Sequence, residues 1–230
     1  MNCLICAKNA SYRYESEAIL ENISFIIEAK DRIALLGKNG SGKSTLIKAL
    51  NQLITPYKGS IQFYFEEMKK NYPTDMYTIF SYPDEQILMN TVYSEIALGL
   101  LQQGKEQKEI EKIIEESLSF FGLLGYIHQN PYCLSTGEKK KLLLATAFSL
   151  NPGILVLDEP FSSLDVRSKK ELNSYISKLE CTQIIATHEY EYITSLCTRA
   201  FVLHNHHLFI FEKIQDLLDN PALLSEYELS

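Results

Sequence analysis

The 230-residue chain lacks any apolar run near the roughly 18 residues that a membrane-spanning helix needs. It also lacks a basic excess. Its 22 Lys and Arg stand against 29 Asp and Glu, a net charge of -7 with an isoelectric point near 5.3. A broad cationic face for wrapping nucleic acid would have to be built against that balance, so no nucleic-acid partner is expected. Cysteine is scarce and odd in number: Cys3, Cys6, Cys133, Cys181 and Cys197 are scattered, which suits reduced thiols better than a disulfide framework. Cys3 and Cys6 form one CxxC, but no second pair accompanies it, and the segment reads as a first strand rather than a metal site. Met1 to Ala10 has no charged start and no cleavage pattern after an apolar core, so it does not read as a signal peptide, and a cytoplasmic location is expected. No linker, internal repeat or low-complexity tract interrupts the chain. What remains is globular: 46% hydrophobic and 22% charged residues, with a mean hydropathy of -0.10 and enough length for one well-cored domain or two small ones.

The apolar pattern changes character along the chain. Strand-like runs cover Cys3 to Lys8, Tyr12 to Tyr14, Ile23 to Glu28 and Arg32 to Leu36, and a glycine-rich turn leads into helical spacing over Ser44 to Leu53. Ile61 to Phe65 is a further β-rich run. From Thr91 to about Leu150 the pattern is helical, with Ile110, Ile113, Ile114, Leu118 and Phe121 on one face of an amphipathic segment. Strands then alternate with helices: strands over Ile154 to Leu157 and Ile184 to Thr187, helices over Val166 to Leu179 and Tyr190 to Cys197. A hairpin around Asn205-His206 and one terminal helix from Lys213 close the pattern. Such alternation predicts a mainly parallel sheet covered on its faces, with the helical block inserted into one α/β domain.

Gly37-Lys38-Asn39-Gly40-Ser41-Gly42-Lys43-Ser44 fits GxxxxGK[ST] between a strand and a helix. Average residue usage gives that pattern by chance in about one chain in a hundred of this length. Small residues let backbone N–H groups curl around a phosphate at a helix amino terminus, where the dipole favours negative charge. Lys43 then reaches the β- and γ-phosphates and Ser44 ligates Mg²⁺. The run Ile154 to Leu157 ends in Asp158-Glu159-Pro160, delivering two carboxylates to the end of a buried strand, where open α/β sheets bind ligands. Asp158 suits Mg²⁺ through water and Glu159 suits polarisation of the attacking water. His188 follows the next apolar strand and is placed to contact a γ-phosphate. His204, His206 and His207 surround the hairpin turn, where alternation sends neighbours to opposite faces, a poor arrangement for a metal.

The order of these elements resembles the nucleotide-binding subunits of ABC transporters, over nearly the whole chain. Leu134-Ser135-Thr136-Gly137-Glu138 is similar to the LSGGQ signature, Ser162-Ser163-Leu164-Asp165 to the D-loop, and His188 to the switch histidine. The resemblance implies a P-loop NTPase (RecA-like) core with a mainly parallel sheet, an amino-terminal antiparallel β part and a helical subdomain at approximately 82–150, all in one domain over 1–230. It implies ATP and Mg²⁺ as ligands. The nucleotide contacts it implies are Gly37, Asn39, Gly40, Ser41, Gly42, Lys43, Ser44 and Thr45, with Ser135, Gly137, Glu138 and Asp165. An aromatic stacks on adenine, and Tyr14 or Tyr12 is its candidate.

Two positions depart from the family: Thr136 replaces a signature glycine, and Ser81 stands where the Q-loop glutamine falls. Tyr82-Pro83-Asp84-Glu85-Gln86 and the following Thr91 to Leu100 resemble energy-coupling-factor (ECF) and cobalt/nickel-type import ATPases. There the segment receives an Arg-bearing helix of the membrane subunit, which makes Asp84 and Glu85 candidate ion-pair partners. The resemblance thus implies a peripheral ATPase on the cytoplasmic face of the membrane that closes two ATP molecules against a second ATPase subunit, identical or related, and drives uptake of a vitamin or metal ion. That group's longer carboxyl-terminal extension is expected to be short or absent. The alternatives are a soluble ABC ATPase acting on nucleic acid or ribosomes, and a catalytically weak regulatory subunit.

Overall fold

A computed structural model describes residues 3–65, 68–70 and 75–229; Met1 and Asn2 of the leader reading lie outside them. The chain forms two compact units: residues up to Thr78 with Gly153–Glu159 and Glu180 onward, and Ile79–Pro152 with Pro160–Leu179.

In the first unit, β1 (Cys3–Tyr14) and β2 (Glu17–Glu28) pair antiparallel. Ile23, Phe25 and Ile27 are buried while Ser24, Ile26 and Glu28 are exposed, the period of two of a half-covered sheet. β1 is one strand rather than the two that its sequence suggests. Asn9 stands at φ 48°, and the β1–β2 register shifts between Ala7 and Ala10. The bulge breaks the apolar alternation without ending the strand. β3 (Arg32–Leu36) is nearly all buried and runs into the glycine-rich loop and α1 (Lys43–Leu50). β4 (Lys58–Phe65) and β5 (Met68–Lys70) complete a four-stranded sheet of order β2-β1-β4-β5.

A second sheet begins with β6 (Met76–Ile79), which the sequence reading did not mark. Its order is β10-β9-β3-β8-β7-β6, where β7 is Ile154–Asp158, β8 Thr182–Ala186, β9 Arg199–His204 and β10 His207–Phe211. β3 pairs parallel with β8 and β9, and β7 pairs parallel with β8. β10 is antiparallel to β9, and Asn205 and His206 take the positive φ values (45° and 68°) of their tight turn. Strands buried on both faces explain the apolar runs of β3 and β7. Phe25 on β2 packs against Phe201 on β9, ring centroids 5.4 Å apart, joining the two sheets through one core. α6 (Tyr190–Leu196) precedes β9. The terminal helix is two, α7 (Ile214–Leu218) and α8 (Pro221–Glu226): Asn220 accepts hydrogen bonds from the amides of Ala222 and Leu223, and Pro221 starts the new helix.

The second unit holds α2 (Val92–Gln102), α3 (Gln107–Phe120), α4 (Thr136–Leu150) and α5 (Val166–Ser177). It includes α5, which the sequence reading kept with the α/β core. Phe120 stacks on Phe148 at 5.1 Å and Phe121 meets Tyr175 at 4.8 Å, so one aromatic cluster ties α3, α4 and α5 together. At Gly99 a Cβ would lie 2.7 Å from Leu150 Cδ2, so glycine lets α2 approach α4 closely.

Candidate functional site

The phosphate-type loop of the first unit has the geometry its composition requires. Gly37, Gly40 and Gly42 take φ 147°, 83° and 103°, values open to glycine and costly for residues with a Cβ. A Cβ on Gly37 would come within 2.6 Å of the Leu203 carbonyl, and one on Gly42 within 2.8 Å of Leu20 Cδ2. The loop is thus wedged between the end of β9 and β2. Gly40 has open space beside it. Among the described residues no side chain caps α1, and none partners the buried Ser41 hydroxyl. An uncapped helix start, an orphaned hydroxyl and a glycine-rich backbone together fit an anion. Ser44 is exposed beside them, whereas the side chain of Thr45 is buried in the core.

Lys43 Nζ donates to the carbonyls of Gly37 at 2.5 Å and Lys38 at 3.1 Å, so the ammonium is folded over the loop. Burial pushes its pKa down, while the carboxylates of Glu159 and Asp158 push it back up. Both acids stand at the end of β7, which β8 separates from β3. Glu159 has φ 49°, uncommon for a residue with a side chain, and donates its N–H to the Ala186 carbonyl at 2.7 Å. His188 Nδ1 lies 3.1 Å from the Glu159 carboxylate. The structure therefore brings Lys43, Asp158, Glu159 and His188 together at the carboxyl ends of neighbouring strands.

The two candidate tyrosines separate. Tyr12 is 2% exposed and belongs to the core, which removes it as a stacking surface. Tyr14, at the strand end, is 46% exposed, with Lys48 Nζ 6.0 Å from its ring centroid. Asn39 is exposed.

In the second unit the signature residues Thr136 to Glu138 form the first turn of α4 itself. Ser135 is the N-cap of a complete capping box: its amide and hydroxyl donate to Glu138 Oε2 at 2.8 and 2.6 Å. Those bonds hold the Glu138 carboxyl below the usual carboxylate range. A depressed carboxyl stabilises the fold above its unfolded pKa, and that contribution is lost as pH falls through the folded value. Ser135→Ala should lower stability by about 1 kcal/mol, checked by urea denaturation at neutral pH. Thr136 is exposed at the first helical position, and a Cβ on Gly137 would make only ordinary contact, 3.6 Å from Leu164 Cδ2. Nothing among the described residues demands glycine there. Asp165 caps α5, accepting from the Ser168 amide at 2.8 Å, a bond that lowers its pKa.

Several residues were not legible as part of these sites. Glu228 reaches Lys38 of the glycine-rich loop at 2.5 Å. Gln86 Oε1 accepts from the Phe80 amide at 3.1 Å, next to Ser81. Buried Glu95 accepts from the amides of Leu88 and Met89 at 3.0 and 2.8 Å and fixes that loop. Lys140, on α4, is 4% exposed and donates to the carbonyls of Pro160 and Ser162. Asp84 is paired within the chain, its carboxylate 2.7 Å from Lys139 Nζ. Among the described residues no group of three or more His, Cys, Asp or Glu is arranged to hold a metal, and no helix is long and apolar enough to cross a membrane. His206 and His207 instead approach the Ile19 and Glu21 carbonyls at 3.3 Å.

A glycine-rich strand-to-helix loop and a carboxylate pair at the end of a nearby buried strand define a P-loop nucleotide-binding α/β protein. The comparisons give the family. Residues 20–162 match the model of the ABC transporter family. A protein of Caldanaerobacter subterraneus subsp. tengcongensis named as an ABC transporter ATP-binding protein is 39% identical over 96% of this chain and 94% of its own length. The energy-coupling factor transporter ATP-binding protein EcfA2 of Acetivibrio thermocellus is 31% identical over 94% of this chain and 80% of its own. Among solved structures, cbiO1 of Clostridium perfringens, part of the ABC transporter complex cbiONQ, superposes with a TM-score of 0.84 at 25% identity, covering 100% of this chain and 96% of that one. The chain belongs to the ABC transporter family as an ATP-binding subunit, an ATPase whose activity is coupled to transport.

Proposed function

We propose that the chain is the ATPase of an ECF-type importer, peripheral on the cytoplasmic face of the membrane, which closes two ATP molecules against a second ATPase subunit and drives uptake of a vitamin or metal ion. The observation that carries the catalytic part is the meeting of Lys43, Glu159 and His188 beside the glycine-rich loop. Lys43 exchanges its loop carbonyls for the β- and γ-phosphates. The amides of Gly40 to Thr45, with Asn39 and the Ser41 hydroxyl, surround the phosphates, and Tyr14 supports the adenine. Glu159 takes the proton of the attacking water, and His188 orients that carboxylate and contacts the γ-phosphate. The Ser44 hydroxyl and the Asp158 carboxylate, the latter through water, are the hard oxygen donors that suit Mg²⁺. The ion, when bound, neutralises phosphate charge.

The second subunit is supported by the signature. Ser135, Gly137 and Glu138 stand at the start of a 15-residue helix, and the absence of any internal demand for glycine at 137 suits close approach by a γ-phosphate held on another subunit. Asp165 acts at the same face. For the membrane partner, Tyr82, Leu88 and Tyr132 are 70%, 67% and 50% exposed, and Tyr132 donates to the Ile87 carbonyl at 2.8 Å. Exposed Glu85 and the Lys139-paired Asp84 lie in the same segment. An apolar patch with acids is the chemistry that receives a helix carrying Arg. The ECF reading also has support from EcfA2 and cbiO1 as relatives. Co-expression with the membrane subunits encoded beside its gene should give a complex that co-purifies, and Leu88→Glu should lower its yield. Failure of the wild-type chain to co-purify would overturn the membrane assignment.

A further inference from the structure

Lysine is almost never fully buried without partners, because its ammonium loses water's hydrogen bonds. Lys140 is such a case: it lies inside α4, 4% exposed. Its Nζ donates to the Pro160 carbonyl at 2.9 Å, the Ser162 carbonyl at 2.8 Å and the Ser162 hydroxyl at 3.2 Å. An ammonium has three donors at one point, and three acceptors are gathered around it. No neutral side chain supplies three donors from one atom.

The segment it holds is unusual. Ser163 has φ 61°, and Glu159, where the chain enters the turn, has φ 49°. Non-glycine residues persist in the left-handed region only where their surroundings over-determine them. Phe161, between the two carbonyls, is fully buried, and the Leu164 amide donates to the Phe161 carbonyl at 3.4 Å. Asp165 follows directly and is fixed as the cap of α5. The helix that Lys140 belongs to starts at Ser135 and Gly137, with Leu164 next to Gly137.

We propose that Lys140 is a positioning residue that binds the turn Pro160–Ser163 to the signature helix, so that the signature and the D-loop meet the second subunit as one rigid surface. This rests on the ATPase reading above for its consequence in turnover, though not for the contact itself. The ammonium touches no substrate. It acts by keeping Ser162 to Asp165 in register with Ser135 to Glu138, one helical turn away on the same element.

The test uses the full chain with Lys140→Met, and Ser162→Ala as a milder variant that deletes only the hydroxyl acceptor. Amide hydrogen exchange reads the contact directly. In Lys140→Met, exchange across 161–165 should rise at least about tenfold, as expected when a local clamp is opened, while 37–45 stays unchanged. Unchanged exchange across 161–165 overturns the proposal whether or not the chain hydrolyses ATP. In steady-state assays, Lys140→Met should lower kcat about tenfold with KM for ATP within about twofold, because the phosphate loop is untouched. A parallel rise in KM, or faster exchange in both segments, would mark general loosening of the fold and contradict the assignment. If Lys140→Met does not fold, Ser162→Ala keeps the test: its exchange should rise across 161–165 alone, by less than in the Met variant, and no rise there overturns the proposal. Absence of ATP hydrolysis by the wild type would instead count against the ATPase reading and leave the exchange result to decide the positioning role.

Discussion

Glu159→Gln lowers ATP turnover about a thousandfold, within the range that loss of a general base produces, and leaves ATP affinity intact. The substitution keeps size and shape, so the backbone that donates to Ala186 and stands at φ 49° has no reason to move. What disappears is the carboxylate's ability to take a proton, together with one of the two negative charges that support the Lys43 ammonium. The same loss removes a charge that repels phosphates, so ATP should bind as well as before or better. Turnover with a coupled phosphate assay and affinity by titration with a fluorescent ATP analogue check the two halves separately. Hydrolysis at the wild-type rate would remove Glu159 from its role.

Lys43→Ala acts on the other half. Charge-assisted hydrogen bonds contribute roughly 1.5–3 kcal/mol each, so losing contact with two phosphates should weaken ATP binding by about two to four orders of magnitude. The ammonium already sits over the loop on the Gly37 and Lys38 carbonyls, so it changes acceptors rather than position when phosphates arrive. Arginine should not restore binding, because its planar fork cannot replace a compact ammonium above a tight loop. Calorimetric titration of ATP into both variants measures this. Wild-type affinity in Lys43→Ala would contradict the phosphate-binding assignment.

The chemistry of the site was legible wherever it is carried by a short contiguous segment. Gly37 to Ser44 declares its loop because the backbone angles need glycine at fixed offsets, and Ile154 to Glu159 declares a buried strand ending in acids. What escaped the sequence depends on partners far apart or on small backbone irregularities. Tyr12 and Tyr14 share a face by period, yet Tyr12 pairs opposite Leu20 within the sheet and Tyr14 opposite Glu17 at its end. That difference in position buries one and exposes the other. The bulge at Asn9 divides the alternation of β1 in sequence but not in space. In sequence Lys140 is one more charge in Glu138-Lys139-Lys140-Lys141, and only the return of the chain at Pro160 shows that it is buried. Glu228 lies 190 positions from Lys38, beyond any local pattern. Ser135 and Glu138, which the resemblance marks as nucleotide contacts, also cap α4 within the chain, a role set by the helix start at Thr136.

The most direct single measurement is the identity of the nucleotide that Glu159→Gln retains after incubation with ATP and Mg²⁺ and passage through a desalting column. The account predicts intact ATP, close to one per chain, where the wild-type chain yields ADP. ADP on the variant, or a wild-type chain that leaves ATP uncleaved, would contradict it.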